Sequence, residues 1–213
     1  MSPEITHKKK LSGLYAITDQ QLITEQAFSD TVELALQGGT RIIQYRDKSD
    51  NEKKRLLQAS DLCRLCEQYD AISIINDDIA LAKAVNADGV HLGSDDASIT
   101  DARRALGDDV IIGISCYNDL KLAVEAEKQS ADYVAFGAMF VSTTKPGAVK
   151  ADQNILTDAK KQLSIPVCAI GGISENNIQQ LIKQGTDMAA VISSLFSADD
   201  IKKAASKLSK QFP

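Results

Sequence analysis

The sequence lacks several features that would assign the protein to a broad functional class. No apolar run approaches the ~20 residues that a membrane-spanning helix needs. Basic residues are not in excess, because 24 lysines and arginines stand against 29 aspartates and glutamates, a formal net charge of −5. A general nucleic-acid binder carries a basic face, so this balance argues against that class. Any anionic ligand must therefore be held by local cations or a metal ion.

The N-terminus has a basic and an apolar stretch but no convincing export signal. Lys8, Lys9 and Lys10 precede a short apolar segment over 11–17, which is the order found in signal peptides. That segment contains a serine and a glycine, and no small-residue cleavage site follows it. We therefore expect residues 1–12 to include a frayed tail before the first core strand, and we predict a cytoplasmic protein.

The few cysteines and histidines do not form a metal-binding pattern. Cys63 and Cys66 stand three residues apart in a helical-looking stretch, and no second Cys or His pair lies nearby to complete a zinc site. We interpret both as buried core thiols. Cys168 lies in an apolar run and indicates packing, whereas Cys116 follows a predicted strand and could border a site. His91 lies within a predicted strand, where a structural role is the more common one.

Short apolar runs alternate with segments of helical spacing along the chain. The runs are continuously apolar, as expected for strands with both faces covered. The predicted strands cover 13–17, 41–45, 72–75, 89–92, 110–114, 133–136, 167–170 and 188–192. The predicted helices cover 28–36, 53–69, 80–85, 99–106, 120–128, 154–162, 177–183 and 201–208. Eight such units without an interior linker predict one α/β domain over 1–213, a (β/α)8 TIM barrel, with an open doubly wound sheet as the alternative.

Three polar residues alternate at the end of the second predicted strand. Extended geometry sends Gln44, Arg46 and Lys48 to one side of the chain. An amide, a guanidinium and an ammonium group in a row suit phosphate oxygens. Alternating charge at a solvated strand edge would look the same, so this motif alone leaves both interpretations open.

Two acidic clusters end the third and fourth predicted strands. Asn76, Asp77 and Asp78 form the first, and Asp95 and Asp96 belong to the second. The amide of the first cluster could hydrogen-bond a ligand, and Asp78 is our candidate for the N-cap of the next helix. Carboxylates at neighbouring strand ends suit Mg²⁺, which takes one or two of them together with substrate phosphates and water. The sequence leaves open which aspartates would contact the metal directly.

Hydroxyl groups and glycines end the later predicted strands. Ser115 ends the fifth, and a polar loop over 142–145 follows the sixth. Hydroxyls and a lysine in that loop suit an anionic oxygen-rich group, although a plain connector is the alternative. Gly171 and Gly172 follow the seventh strand and let the backbone approach a ligand closely. The loops after strands seven and eight are the places where barrels commonly bind phosphate.

Taken together, these residues resemble the thiamine-phosphate synthase family from Leu14 to Ser194. The motifs are Gln44-x-Arg46-x-Lys48, Asn76-Asp77-Asp78, Gly89-Val90-His91-Leu92-Gly93 through Asp96, Ser142-x-Thr144-Lys145 and Gly171-Gly172-Ile173. Members of that family join hydroxymethylpyrimidine diphosphate to a thiazole phosphate with Mg²⁺ and release thiamine monophosphate and pyrophosphate. The implied mechanism is dissociative: pyrophosphate leaves, a pyrimidine methylene cation forms, and the thiazole nitrogen attacks it.

The resemblance implies a role for each matching residue. The diphosphate would be held by Gln44, Arg46, Lys48, Asn76 and Lys145. Asp77 and Asp96 would bind Mg²⁺, and Ser115 would contact the pyrimidine ring. The thiazole phosphate and nearby pyrophosphate would be surrounded by Ser142, Thr144, Gly172, Ile192 and Ser193. The residues implied in catalysis are Arg46, Lys48, Ser115 and Lys145.

The chain departs from the family pattern in the loop after the sixth strand. Ala138, Val141 and Ser142 replace two prolines and a threonine, and Ser94 replaces a glutamine. Loss of two prolines loosens a loop, which bears on substrate affinity or closure. No charged residue implied in catalysis is lost.

Several other functions fit parts of the pattern. A thiazole tautomerase of the same barrel family would handle only the thiazole phosphate, and a non-catalytic sensor would keep the pocket without turnover. A sugar-phosphate isomerase needs a placed acid–base pair, and we find no convincing one. The retained diphosphate and metal groups favour the synthase. We expect small-molecule substrates and neither nucleic acid nor membrane as partners; the oligomeric state stays open, with a homodimer as one option.

Overall fold

Eight parallel strands form a closed barrel in chain order, as the computed structural model shows for residues 11–93, 96–141, 151–152 and 154–213. The strands are β1 (Gly13–Ile17), β2 (Ile42–Tyr45), β3 (Ile72–Asn76), β4 (Gly89–Leu92), β5 (Ile111–Tyr117), β6 (Tyr133–Phe136), β7 (Val167–Ile170) and β8 (Met188–Val191). Each strand pairs with the next, and β8 pairs in parallel with β1. That last pairing closes the sheet, which confirms the predicted (β/α)8 barrel and excludes the open doubly wound sheet.

Helices follow the strands and cover the outside of the barrel. They are α1 (Phe28–Gln37), α2 (Glu52–Gln68), α3 (Ile79–Ala84), α4 (Ile99–Leu106), α5 (Leu120–Lys128), α6 (Ile155–Gln162), α7 (Ile178–Lys183), α8 (Ser193–Phe196) and α9 (Ile201–Ser209). The short helix α8 was not predicted, because four residues are too few for a periodic apolar pattern. No helix in the described part of the chain is both long and apolar enough to cross a membrane.

Local sequence signals set many of the helix boundaries. Side chains accept hydrogen bonds from first-turn N–H groups at the N-caps Asn51, Asp78, Ser98, Asp119 and Asp200. Glycines after α1, α4 and α7 adopt φ values of 96°, 92° and 96°, a left-handed conformation that other residues avoid; they are Gly39, Gly107 and Gly185. These glycines turn the chain from each helix into the next strand.

Alternation along the strands divides the core into two layers. Residues such as Ile43, Ile75 and Val134 point outwards and pack under the helices. Residues such as Ile42 and Ile74 point inwards and fill the barrel. Both layers are buried along most of each strand, which accounts for the continuously apolar strands in the sequence.

The structure corrects the end of the fifth strand. The prediction stopped at position 114, whereas β5 continues to Tyr117. Ser115 pairs with Ala135, and the register then shifts so that Tyr117 pairs with Phe136. Backbone pairing therefore extends past the apolar run, since a bulge needs no apolar side chain. Ser115 lies inside the strand and not after it.

The cysteines behave largely as the sequence indicates. Cys66, Cys116 and Cys168 are buried and Cys63 is partly buried, and all four are free. The structure thus confirms the packing role of Cys66 and Cys168. Of the predicted tail over residues 1–12, residues 1–10 lie outside the described residues, and β1 begins at Gly13.

Candidate active site

The loop after β2 is tied to the loop after β1 by its backbone. The Arg46 N–H donates to Thr18 Oγ1 at 2.9 Å, and the Lys48 N–H donates to Gln20 Oε1 at 3.0 Å. Gln44 lies within β2 and is buried. These contacts hold Arg46 and Lys48 at the carboxyl end of the barrel, beyond the strand itself, which ends at Tyr45.

The ends of β2 and β3 meet at a cluster of complementary groups. The Lys48 ammonium and the Asn76 amide both donate to Oδ2 of Asp77. Asp77 has a left-handed φ of 62°, and its N–H donates to the His91 carbonyl at 2.9 Å. This backbone turn presents the carboxylate towards Lys48. The structure therefore brings together three residues that the sequence assigned to diphosphate and metal binding.

Asp78 serves a different purpose from its neighbour. Its Oδ1 accepts from the Leu81 N–H at 2.8 Å, and its Oδ2 forms an ion pair with Arg55. These contacts confirm Asp78 as the N-cap of α3. Both carboxylate oxygens are thereby committed to local structure, so Asp78 is a poor candidate for a metal ligand.

Asp96 closes the turn that follows β4. Its Oδ2 accepts from the Gly93 N–H at 2.7 Å, and its side chain is exposed. Ser94 and Asp95 lie outside the described residues. No group of three or more His, Cys, Asp or Glu side chains in the described part of the chain is arranged around a metal position. A site with two carboxylates, completed by water and substrate, remains compatible with Asp77 and Asp96.

The loops after β6 and β7 run side by side. The Met139 N–H donates to the Ile170 carbonyl at 2.9 Å, and the Phe140 N–H donates to the Gly171 carbonyl at 3.0 Å. A Cβ atom at Gly172 would lie 2.4 Å from the Val141 carbonyl oxygen, and its φ of 62° also favours glycine. The segment that departs from the family pattern is thus braced by backbone hydrogen bonds. Ser142, Thr144 and Lys145 lie outside the described residues.

The end of β8 leads directly into α8. Ile192 precedes that helix, and its carbonyl accepts from the Leu195 and Phe196 N–H groups at 3.1 and 2.9 Å. Ser193 is the first residue of the helix. The predicted strand included Ile192, but β8 ends at Val191 because the chain turns there. Ile192 and Ser193 therefore share the carboxyl end of the barrel with Gly172.

A chain of five hydrogen-bonded side chains crosses the barrel interior. Gln44 Nε2 donates to Tyr15 Oη at 2.7 Å, and Tyr15 Oη lies 2.9 Å from Tyr133 Oη. Tyr133 Oη lies 2.9 Å from His91 Nδ1, and His91 Nε2 lies 2.9 Å from Ser115 Oγ. We call these residues the interior chain. It joins two predicted substrate-binding residues, Gln44 and Ser115.

The environment of the interior chain keeps its members uncharged. Loss of solvent around the ring lowers the pKa of His91 to about 4, against a smaller opposing effect of Asp96. Burial likewise raises the pKa of Tyr15 and of Tyr133. Sequence reasoning assigned His91 a structural role and missed both tyrosines. A signal was present, because buried tyrosines in otherwise aliphatic strands need partners for their hydroxyl groups.

Several known proteins resemble this chain in sequence and in fold. A family model described as thiamine monophosphate synthase matches residues 14–195. The thiamine-phosphate synthases of Nitrosococcus oceani and Marinobacter nauticus are 51% and 48% identical to the chain; the alignments cover 95% and 94% of it and 94% and 90% of the relatives. A solved thiamine phosphate pyrophosphorylase from Pyrococcus furiosus superposes with a TM-score of 0.85 at 38% identity, covering 93% of this chain and 94% of that one. The chain therefore belongs to the thiamine monophosphate synthase family.

Proposed function

We propose that this protein joins hydroxymethylpyrimidine diphosphate to a thiazole phosphate, with release of thiamine monophosphate and pyrophosphate. The observation that carries the proposal is the cluster of Lys48, Asn76 and Asp77 at the ends of β2 and β3. A tautomerase that acts only on the thiazole phosphate does not need a second subsite that binds a diphosphate. The cluster therefore favours the synthase over the other functions considered from the sequence.

Mg²⁺ fits the acidic residues beside this cluster. Asp77 and Asp96 follow the adjacent strands β3 and β4, and carboxylate oxygens are the ligands that Mg²⁺ prefers. Oδ2 of Asp77 accepts from Lys48 and Asn76, and Oδ2 of Asp96 accepts from the Gly93 N–H. We assign Asp77 and Asp96 as the protein ligands. The metal supplies positive charge to the diphosphate oxygens when it is bound.

The protein's own cations and amides complete the diphosphate site. Arg46 and Lys48 would stabilise the negative charge that develops on the leaving pyrophosphate, and Lys145 would do the same from the loop after β6. Gln44 and Asn76 would orient the diphosphate through their amides. Stabilisation of the leaving group is what a dissociative reaction requires most, because a cation forms on the pyrimidine before the thiazole attacks.

No covalent protein intermediate is required. Burial raises the pKa of the Cys116 thiol to about 12, and it also raises the pKa of Cys63 to about 11. A thiol with a raised pKa is a weak nucleophile at neutral pH. His91 Nε2 lies 2.9 Å from Ser115 Oγ, but burial lowers the pKa of His91 to about 4, which makes its imidazole a weak base for that hydroxyl. The substrates would therefore react directly with each other.

The thiazole phosphate would bind at the ends of β7 and β8. Gly172, Ile192 and Ser193 share that part of the barrel rim, and the left-handed glycine allows a close approach of a ligand to the backbone. Ser142 and Thr144 would contribute hydroxyl groups from the adjoining loop. We place the enzyme in the cytoplasm, acting on small-molecule substrates.

Pyrophosphate release tests the proposal directly. Purified protein would be given hydroxymethylpyrimidine diphosphate, thiazole phosphate and Mg²⁺, with each component omitted in turn. We expect release coupled to thiamine monophosphate formation, and we expect a chelator to abolish both. Folded protein that binds thiazole phosphate but releases no pyrophosphate would contradict the proposal and favour the tautomerase or the sensor.

A further inference from the structure

The interior chain has a direction, which follows from the donors and acceptors of its members. Gln44 donates to Tyr15 through its amide nitrogen at 2.7 Å. The distance between the two hydroxyls allows either of them to donate. Because Gln44 already donates to Tyr15, each hydroxyl proton finds an acceptor within the chain only when Tyr15 donates to Tyr133 and Tyr133 donates to His91 Nδ1. A neutral imidazole with an accepting Nδ1 carries its proton on Nε2. That proton is donated to Ser115 Oγ.

The direction of the interior chain decides whether the Ser115 hydroxyl is free to donate a hydrogen bond on its accessible side. Its oxygen already accepts from His91, so its own proton is left for a group outside the chain. Ser115 is partly exposed, whereas Tyr15, Tyr133 and Gln44 are buried at 1%, 0% and 3% exposure. Ser115 and His91 are therefore the most accessible members of the chain.

We propose that Tyr15, Tyr133 and His91 are positioning residues that make the Ser115 hydroxyl a hydrogen-bond donor to the substrate. The inference rests on the proposed function, in which Ser115 contacts the pyrimidine ring. A fixed donor selects a ring whose facing atom is an acceptor, such as an unprotonated ring nitrogen. A ring that presents a donor at that position is rejected, because two protons would meet.

The surrounding barrel supports this geometry. Gly113 has no side chain, and a Cβ atom there would lie 2.0 Å from the Tyr133 ring. The Tyr133 ring stacks on His91 with centroids 5.5 Å apart and an interplanar angle of 27°. Tyr15 packs edge-on against Tyr133 with centroids 6.1 Å apart. The two rings and the imidazole are thus held in one arrangement by packing as well as by hydrogen bonds.

Nitrogen NMR of the ligand-free protein tests the direction of the chain. The sequence has only two histidines, so a His7→Gln variant labelled with ¹⁵N-histidine reports on His91 alone. We expect the spectrum of a neutral ring protonated on Nε2. Tyr133→Phe removes the donor to Nδ1 and should shift the spectrum towards a mixture of tautomers. A wild-type ring protonated on Nδ1, or no response to Tyr133→Phe, would overturn the proposal.

A double-mutant cycle tests whether Tyr133 acts through Ser115. Tyr133→Phe alone should weaken binding of hydroxymethylpyrimidine diphosphate by about three- to tenfold, the effect of one hydrogen bond. In a Ser115→Ala background the same change should alter the dissociation constant less than about twofold. Equal effects in both backgrounds would mean that Tyr133 contributes only packing, and would overturn the proposal.

Controls separate this inference from general effects and from the proposed function. Tyr69→Phe removes a hydroxyl that donates to Glu33 at 2.7 Å on the partly buried end of α2, outside the interior chain, and should leave binding unchanged. Thermal unfolding of each variant shows whether the fold is retained. If the expected spectrum and binding cycle appear without thiamine monophosphate formation, the proposed function fails and the positioning role stands.

Discussion

The two sides of the barrel rim are built by different means. On the side of β2 to β4, charged and amide side chains such as Lys48 and Asp77 contact one another directly. On the side of β6 to β8, backbone groups take part in the contacts, as where the Phe140 N–H donates to the Gly171 carbonyl and the Asn177 amide donates to the Gly172 carbonyl. The proposed diphosphate and metal site would therefore depend on side-chain charge, whereas the proposed phosphate site would depend on backbone shape.

Removal of the ammonium on the charged side should have the largest effect. Lys48→Ala deletes a cation that contacts Asp77, and we expect the turnover number to fall about 100-fold, as for the loss of one preorganised charge-stabilising group. Steady-state kinetics with both substrates would measure it. The matched control is Lys53→Ala, which removes an exposed cation of α2 and should retain full activity. Equal turnover in the two variants would remove Lys48 from the mechanism.

A change of backbone shape on the other side should have a selective effect. Gly172→Ala strains a φ of 62° and puts a Cβ atom against the Val141 carbonyl. We expect the KM for thiazole phosphate to rise at least about tenfold, with little change in the KM for the pyrimidine diphosphate, because only one subsite is distorted. Gly107→Ala is also strained, at φ 92°, but its Cβ atom would have no neighbour within 4 Å, so this variant controls for backbone strain without a clash. An equal rise in both KM values would contradict the prediction that the substitution distorts only the thiazole phosphate subsite.

The metal should respond to a change of one carboxylate. Asp96→Asn keeps an oxygen acceptor for the Gly93 N–H but removes a charge, so we expect the Mg²⁺ concentration for half-maximal activity to rise about tenfold. A Mg²⁺ titration of initial rate measures this shift. Asp109→Asn changes an exposed aspartate of the α4–β5 loop and is the charge control. An unchanged titration would reassign Asp96 to loop structure.

The ion pair between Asp47 and Lys54 should affect the stability of the fold and not the rate of the reaction. Burial by itself would raise the pKa of Asp47, but hydrogen bonds from Lys54 and Ser49 outweigh it and hold that pKa below its usual value. A carboxylate whose pKa is lower in the folded than in the unfolded state stabilises the protein at pH values above its unfolded-state pKa, which is about 3.9 for aspartate. That stabilisation is lost as the pH falls through the folded-state pKa.

Asp47→Asn should therefore lower the free energy of unfolding by about 1–2 kcal/mol at pH 7. The difference from the wild type should shrink below about pH 4, where the wild-type carboxylate also becomes protonated. Urea unfolding at a series of pH values measures both effects. The turnover number should stay near the wild-type value. A large fall in turnover would mean that Asp47 also takes part in the charged side of the rim.

The sequence carried more information about the charged side than about the backbone side. Asn76, Asp77 and Lys48 were recognisable as a motif, since the chemistry of each side chain is independent of the fold. The assignment of Asp78 to the N-cap was also available from its place before a helical segment, and the structure confirms it. By contrast, α8 was missed, and β5 was ended too early, because backbone turns and bulges leave little trace in the pattern of apolar residues.

The sequence by itself determined the order of strands and helices, because continuous apolar runs, N-caps and glycines act over a few residues. It also determined the family, through motifs whose order and spacing survive along most of the chain. Only the tertiary structure decided that the sheet closes and that Gln44 and Ser115 are joined. The hydroxyls of Tyr15 and Tyr133 meet across 118 residues of sequence, a contact that depends on which strands lie opposite one another in the barrel.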